Sequence, residues 1–155
     1  MANHFVVLFT QTGYDKIQNE YDELSRKRPE VVAELTYARD MGDRSENAAY
    51  KSARRKLSGA DSRLRFLKKL IDNARIVKAT QDEYVEIGSV VTVYNGKEEH
   101  IFYIVGEYES DPATGRLSYR SPVGQALLRR RSGETAEIST PSGILSYEIR
   151  GIRIA

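Results

Sequence analysis

Cysteine is absent from the 155 residues, which excludes disulfides and thiolate metal sites. Only two histidines are present, His4 and His100, so a His-rich zinc centre is not expected. Neither histidine has a neighbouring Ser/Asp constellation, and no nucleophile–base pair stands out. No phosphate-cradling loop of the GxxxxGK[ST] or GxGxxG type occurs. Long hydrophobic runs are missing too. The apolar stretch at residues 5–9 is too short for a signal core or a membrane span, and no basic segment precedes it. These absences point to a soluble cytoplasmic protein with no membrane partner. Internal repeats and low-complexity tracts are also lacking. Residues 5–9 read as a strand, or as a cap packing at the base of a helical hairpin.

What is present is charge, unevenly placed. Charged residues make up 30% of the chain and hydrophobic residues 40%, so a core is feasible beneath a large solvated surface. Net charge is only +2, but residues 1–79 hold 16 Lys/Arg against 11 Asp/Glu, while residues 80–155 hold 8 against 11. The length fits one or two domains.

The basic half carries a helical period. Tyr14, Ile17, Tyr21, Leu24, Arg28, Val31, Leu35 and Ala38 recur at alternating steps of three and four. That is a heptad seam, broken in polarity only at Arg28. Thr10 and Thr12 both qualify as N-caps, and Thr12 has Asp15 at capping-box spacing. Pro29 falls in mid-helix, where it predicts a kink or a break near residues 25–29. The seam stays in phase beyond it, so the helix does not end there. A matching seam is formed by Tyr50, Ala53, Leu57, Ala60, Leu64, Leu67, Ile71 and Ala74. Two such seams joined by a short turn predict an antiparallel coiled-coil hairpin, an arm of roughly 37 Å at about 1.5 Å per residue. The second helix is strongly basic: residues 51–78 carry ten Lys/Arg against Asp61 and Asp72. Its face at Lys51, Arg54, Arg55 and Lys56 is a candidate surface for RNA or another polyanion; the plain alternative is a solvated helix face.

Between the seams lies Arg39-Asp40-Met41-Gly42-Asp43-Arg44-Ser45-Glu46-Asn47-Ala48-Ala49-Tyr50. Its composition reads as a turn at the hairpin tip. Asp43 and Glu46 are candidate ligands for a hard divalent cation, and their three-residue spacing lets both address one ion. The alternative is simple capping of the second helix, since acidic residues at helix N-termini are routine. Ser45 and Asn47 are candidate caps that fix the loop. Asp40 reads as a solvated flank, and Arg44 either touches a phosphate or points to solvent.

The remaining chain reads as a small antiparallel sheet of about five strands with one short helix. Residues 80–83 are a linker. Strands are expected at 85–94 and 100–108 around the hairpin signal Asn95-Gly96, then at 116–120, 136–140 and 145–154. Ser121-Pro122 caps a short helix whose body is 125–128, and residues 129–133 form a basic turn. The domain boundary is placed between 1–79 and 80–155, giving an α+β protein.

Together these segments resemble the Gre factors, bacterial proteins that act on RNA polymerase during transcript elongation. The resemblance rests on Gly42-Asp43-Arg44-Ser45-Glu46-Asn47-Ala48 with Tyr50, Arg28-Pro29-Glu30, Ile104-Val105-Gly106, Ser121-Pro122 with Ala126-Leu127-Leu128, and Thr140-Pro141-Ser142-Gly143. Arg44, the basic second helix and Leu64-Arg65-Phe66-Leu67 are similar to the GreB branch, while Ala49 departs from the acidic residue usual in both branches. The resemblance implies an FKBP-like C-terminal domain that docks at the polymerase secondary channel, with Ser121 and Pro122 as contacts. It implies that the coiled coil enters the channel as a monomer and that the tip reaches a backtracked RNA 3′ end. Asp43 and Glu46 would then help hold a second Mg²⁺ shared with the polymerase active site, not bound in the free protein. Arg44, Ser45, Asn47 and Tyr50 would support the tip. On this reading the chain is not itself an enzyme but stimulates RNA cleavage by the polymerase. The alternatives are a Gre-like channel inhibitor without cleavage stimulation, an autonomous nuclease or prolyl isomerase, and a nucleic-acid-binding coiled coil.

Overall fold

The computed structural model describes residues 5–42 and 47–155. In chain order the elements are β1 (Val7–Phe9), α1 (Gln11–Asp40), α2 (Ala48–Asp72), β2 (Ala74–Ile76), β3 (Ser89–Tyr94) and β4 (Glu99–Val105). Two 3₁₀ turns come next, Glu107–Glu109 and Pro112–Thr114, then β5 (Arg116–Ser118), α3 (Pro122–Leu127), β6 (Thr135–Thr140) and β7 (Gly143–Ile154). The chain divides into two compact units, Asp15–Asn73 and a second made of Met1–Tyr14 with Ala74–Ala155. Residues 5–14 and the stretch 74–79 thus group with the sheet, whereas the sequence pattern grouped them with the hairpin. No helix among the described residues is long and apolar enough to cross a membrane.

The hairpin unit follows the heptad seam. Ile17, Val31, Ala38, Ala53 and Leu67 are buried, and the other seam positions within the unit are half-buried, Arg28 alone excepted. Three ion pairs link the helices: Arg28–Asp61 at 2.7 Å, Lys56–Glu34 at 3.1 Å and Arg63–Glu20 at 2.6 Å. Later residues of α1 meet earlier residues of α2, which is the antiparallel arrangement. Arg28 explains its own place in the seam: its Nε and Nη2 both donate to the Asp61 carboxylate. Helix α1 runs unbroken from Gln11 to Asp40 across Pro29, so no break forms at 25–29. Residues 25–30 are all exposed, so water can satisfy the carbonyl that proline leaves without a donor.

In the other unit, β1 and β2 pair in parallel, Val7 with Ala74 through Phe9 with Ile76. The strand reading of residues 5–9 therefore holds from Val7. The main sheet has the order β5-β4-β3-β7-β6. It is antiparallel except at its edge, where β5 pairs in parallel with β4. The Asn95-Gly96 hairpin joins β3 to β4. The Asn95 side chain accepts from the Lys97 and Glu98 amides, both at 2.9 Å, and Gly96 takes φ 95°. Three expected strands are shorter than the sequence pattern implied; the one expected at 116–120 ends at Ser118. Val85 pairs with the backbone of Arg129 and Arg130 instead of joining β3, and residues 107–109 coil into a 3₁₀ turn instead of extending β4. One face of the sheet and α3 enclose Val85, Val91, Val93, Ile104, Leu127, Ala136, Ile138, Tyr147 and Ile149.

A carboxylate from that 3₁₀ turn starts α1. The Glu109 side chain is 4% exposed. It accepts from the Thr10 and Gly106 amides, each at 2.9 Å, and from the Thr10 hydroxyl, with Arg116 3.7 Å away. The Thr10 hydroxyl in turn accepts from the Gly13 amide at 3.2 Å, so Thr10 and not Thr12 is the N-cap. The first turn of α1 has no acidic residue of its own, and Glu109 supplies the negative charge that a helix N-terminus favours.

Two glycines test this packing. A Cβ on Gly13 would fall inside the Glu109 carboxyl group, whereas one on Gly59 in α2 would meet nothing within 4 Å. Gly13→Ala is expected to destabilise by about 1–3 kcal/mol. Gly59→Ala is expected to stabilise by about 0.5–1 kcal/mol through helix propensity. Thermal melts of the two variants should move in opposite directions; a Gly13→Ala melt at or above wild type would contradict the packing described.

The ion pairs also set a pH dependence. The hydrogen bond from Arg28 holds the Asp61 carboxyl below its ordinary 3.8, and that from Arg63 holds Glu20 below 4.5. Groups lowered in the folded state contribute stability above their ordinary values and lose it as pH falls through the folded ones. Hairpin stability should therefore be flat from neutral pH down to the ordinary carboxylate range and fall below it. Asp61→Asn should lower the neutral-pH melt slightly and flatten the acid limb. An unchanged acid limb in that variant would show that the pair contributes nothing.

Candidate functional site

The candidate tip begins where α1 ends. Ala38 is the last buried seam residue of α1, and its carbonyl accepts from the Met41 amide at 3.3 Å. The same carbonyl accepts from the side-chain amide of Asn47 at 2.6 Å. The side-chain oxygen of Asn47 accepts from the Tyr50 amide at 3.0 Å, which makes Asn47 the N-cap of α2. One side chain thus uses a donor on the end of one helix and an acceptor on the start of the next, a division of labour that an amide allows and a carboxylate does not. The segment between these anchors holds Asp43, Arg44, Ser45 and Glu46, which lie outside the described residues. Gly42, at φ 144°, has nothing within 4 Å of where a Cβ would stand.

Tyr50 sits on the seam beside a shallow groove on the hairpin. The groove has a volume of about 360 Å³ and is lined by Leu35, Tyr50, Arg54, Leu57, Asp61 and Arg65, with Ser58 on its wall. The four predicted basic residues divide. Lys51, Arg54 and Arg55 are exposed and make no ion pair with a described residue, while Lys56 is tied to Glu34 across the hairpin. The face available to an anion is therefore Lys51, Arg54 and Arg55, with Arg65 further along α2.

At α3, Ser121 is used structurally. Its hydroxyl donates to the Ser118 carbonyl at 2.7 Å and accepts from the Gly124 amide at 3.0 Å. Pro122 occupies the first turn and is exposed. Leu127 is fully buried, so it belongs to the core and not to a contact surface; Ala126 is half-buried. A Cβ on Gly124 would collide with the Ser118 carbonyl, which fixes glycine there. The exposed part of this segment is Pro122 and Gln125, presented on a turn whose geometry Ser121 sets.

Sequence reasoning missed Glu109. Its partner Thr10 is 99 residues away, and no local pattern marks such a contact. The only signal was Gly106, three residues before it, whose amide the same carboxylate accepts.

Comparison with known proteins agrees with this layout. Residues 7–76 match the family described as transcription elongation factor, N-terminal, and residues 80–154 match transcription elongation factor, GreA/GreB, C-terminal. Transcription elongation factor GreA of Neorickettsia sennetsu is 38% identical over 148 residues, covering 92% of this chain and 93% of that protein. GreA of Clostridioides difficile is 38% identical over 151 residues, covering 94% and 95%. Among solved structures, a GreA/GreB elongation factor from Nitrosomonas europaea aligns over 94% of this chain and 98% of its own at 18% identity, with a TM-score of 0.42. Both sequence relatives carry the GreA name, so neither supports the expected GreB-branch affinity.

Proposed function

The chain belongs to the Gre family of transcription elongation factors, and from that premise we propose that it rescues backtracked RNA polymerase by stimulating cleavage of the extruded RNA 3′ end. The observation that carries the reading is the bridge made by Asn47, which joins the ends of two long helices on either side of the acidic segment. A narrow hairpin of this kind suits a channel that a globular domain cannot enter. Asp43 and Glu46 are then the residues that act at the polymerase centre. A second Mg²⁺ held partly by their carboxylates would activate water and offset the charge that develops on the phosphorus oxygens.

The other residues bind and orient. Lys51, Arg54 and Arg55 offer cations to RNA phosphates or an acidic channel wall, and their contribution would weaken with salt. The turn at Ser121 and Pro122 presents the docking surface, since rigid scaffolds carry their binding residues on such loops. The chain on this account is a stimulator and the polymerase remains the catalyst.

The test is RNA cleavage in stalled, backtracked elongation complexes at limiting Mg²⁺. Wild-type protein should shorten the RNA from its 3′ end. Asp43→Ala and Glu46→Ala should each reduce that activity by about two orders of magnitude or more, the scale of removing a group that acts only in the transition state. Polymerase affinity should be retained in both. Wild-type cleavage in either variant would remove that residue from the proposed site, and loss of binding in both would make the tip a docking element instead.

A further inference from the structure

Arg129 is the one non-glycine among the described residues with a positive φ, 64°. That is the left-handed region, which glycine enters freely and an arginine does not. Arg129 directly follows the C-cap of α3, where a left-handed residue ends a helix and glycine is usual, so the backbone itself gives no reason for arginine here. Its side chain is exposed and has no ion pair with a described residue. Arg131 is likewise exposed with no ion pair to a described residue, whereas Arg130 between them is engaged by Glu134 at 3.6 Å and the Ala126 carbonyl at 3.4 Å.

Arg129 and Arg131 flank a cavity of about 580 Å³ whose other walls are Tyr84, Val85, Ile87 and Leu128. The backbone beneath it is fixed. Arg129 N–H donates to the Val85 carbonyl and Val85 N–H to the Arg130 carbonyl, both at 2.9 Å, and Tyr84 bridges to Arg131. Glu86 also lines the cavity, but its carboxylate accepts from the Thr80 amide at 3.0 Å.

We propose that this cavity is a docking site for an acidic protein segment, with Arg129 and Arg131 gripping carboxylates while the apolar wall takes the adjoining side chain. Two exposed guanidiniums around an apolar hollow match a short peptide. A nucleic-acid backbone would need a longer basic track than these two arginines provide. The site is continuous with the docking turn, because Leu128 is the C-cap of α3. In this sense it rests on the proposed docking of residues 121–128 to polymerase and extends it by a charged anchor.

Arg129→Gly separates function from folding. It removes the strained conformation together with the charge, so the full-length variant should melt higher than wild type. Its affinity for core RNA polymerase should fall by about fivefold or more, and the salt dependence of binding should become shallower. Arg131→Gln should weaken binding similarly without the rise in melting temperature. A Glu-rich peptide and a single-stranded RNA of equal charge serve as direct probes. Wild-type protein should bind the peptide more tightly, and both variants should lose that preference. Wild-type polymerase affinity in both variants overturns the proposal, as does tighter binding of the RNA that both variants abolish. If wild-type protein fails to bind polymerase, the docking reading falls. Peptide binding that depends on both arginines would still support the site, and its absence would overturn it.

Discussion

The Asn47 side chain is the constraint that ties the two helix ends of the hairpin together. Two helices of 30 and 25 residues can pack along a heptad seam at more than one offset, because the seam repeats. An amide that donates to Ala38 and caps α2 at Tyr50 fixes where one helix stops relative to where the next begins. A cap of this type contributes about 1 kcal/mol. Its larger consequence is positional, since Asp43 and Glu46 lie in the short segment whose two ends it holds.

Glu109 does at the start of α1 what Asn47 does at its end. The carboxylate gathers the amides of Thr10 and Gly106 and the hydroxyl that caps the helix, and Gly13 leaves it room. Between these points the ion pairs Arg28–Asp61, Glu34–Lys56 and Glu20–Arg63 lie on partly exposed surface, where each contributes little singly. They favour one alignment because opposite charges meet only in that register. The pairing also selects among the cations of α2. Lys56 and Arg63 are engaged by α1, while Lys51, Arg54 and Arg55 make no ion pair with a described residue.

The hairpin was legible in the sequence because its period is local: seven apolar or small positions in each helix at steps of three and four, interrupted in α1 only by Arg28, and Asn47 at a cap position. The Asn95-Gly96 hairpin was legible for the same reason. Long-range relations were not. The pairing of β1 with β2 and the parallel edge strand β5 are set by chain paths that no short pattern encodes. Arg28 stood out as a polar break in the seam, but its partner Asp61 is 33 residues away. Pro29 suggested a break because it removes a helical hydrogen bond; neighbouring seam contacts and solvent access to the freed carbonyl keep α1 continuous. At the candidate site, residue types pointed to Asp43 and Glu46, and the structure describes the anchors on either side of them. Ser121 was read as a contact, yet its hydroxyl is occupied within its own turn.

The central claim is that the acidic segment works because Asn47 holds both helix ends. The most direct measurement is stimulated RNA cleavage by Asn47→Ala alongside its affinity for polymerase. Asn47→Asp is the companion variant, keeping the cap acceptor and losing the donor to Ala38. The account predicts that both variants bind polymerase as wild type does, and that both lose most of the cleavage. Asn47→Asp should lose it while retaining more helix stability than Asn47→Ala. Wild-type cleavage by Asn47→Asp would contradict the claim, because the tie between the helices would then be dispensable.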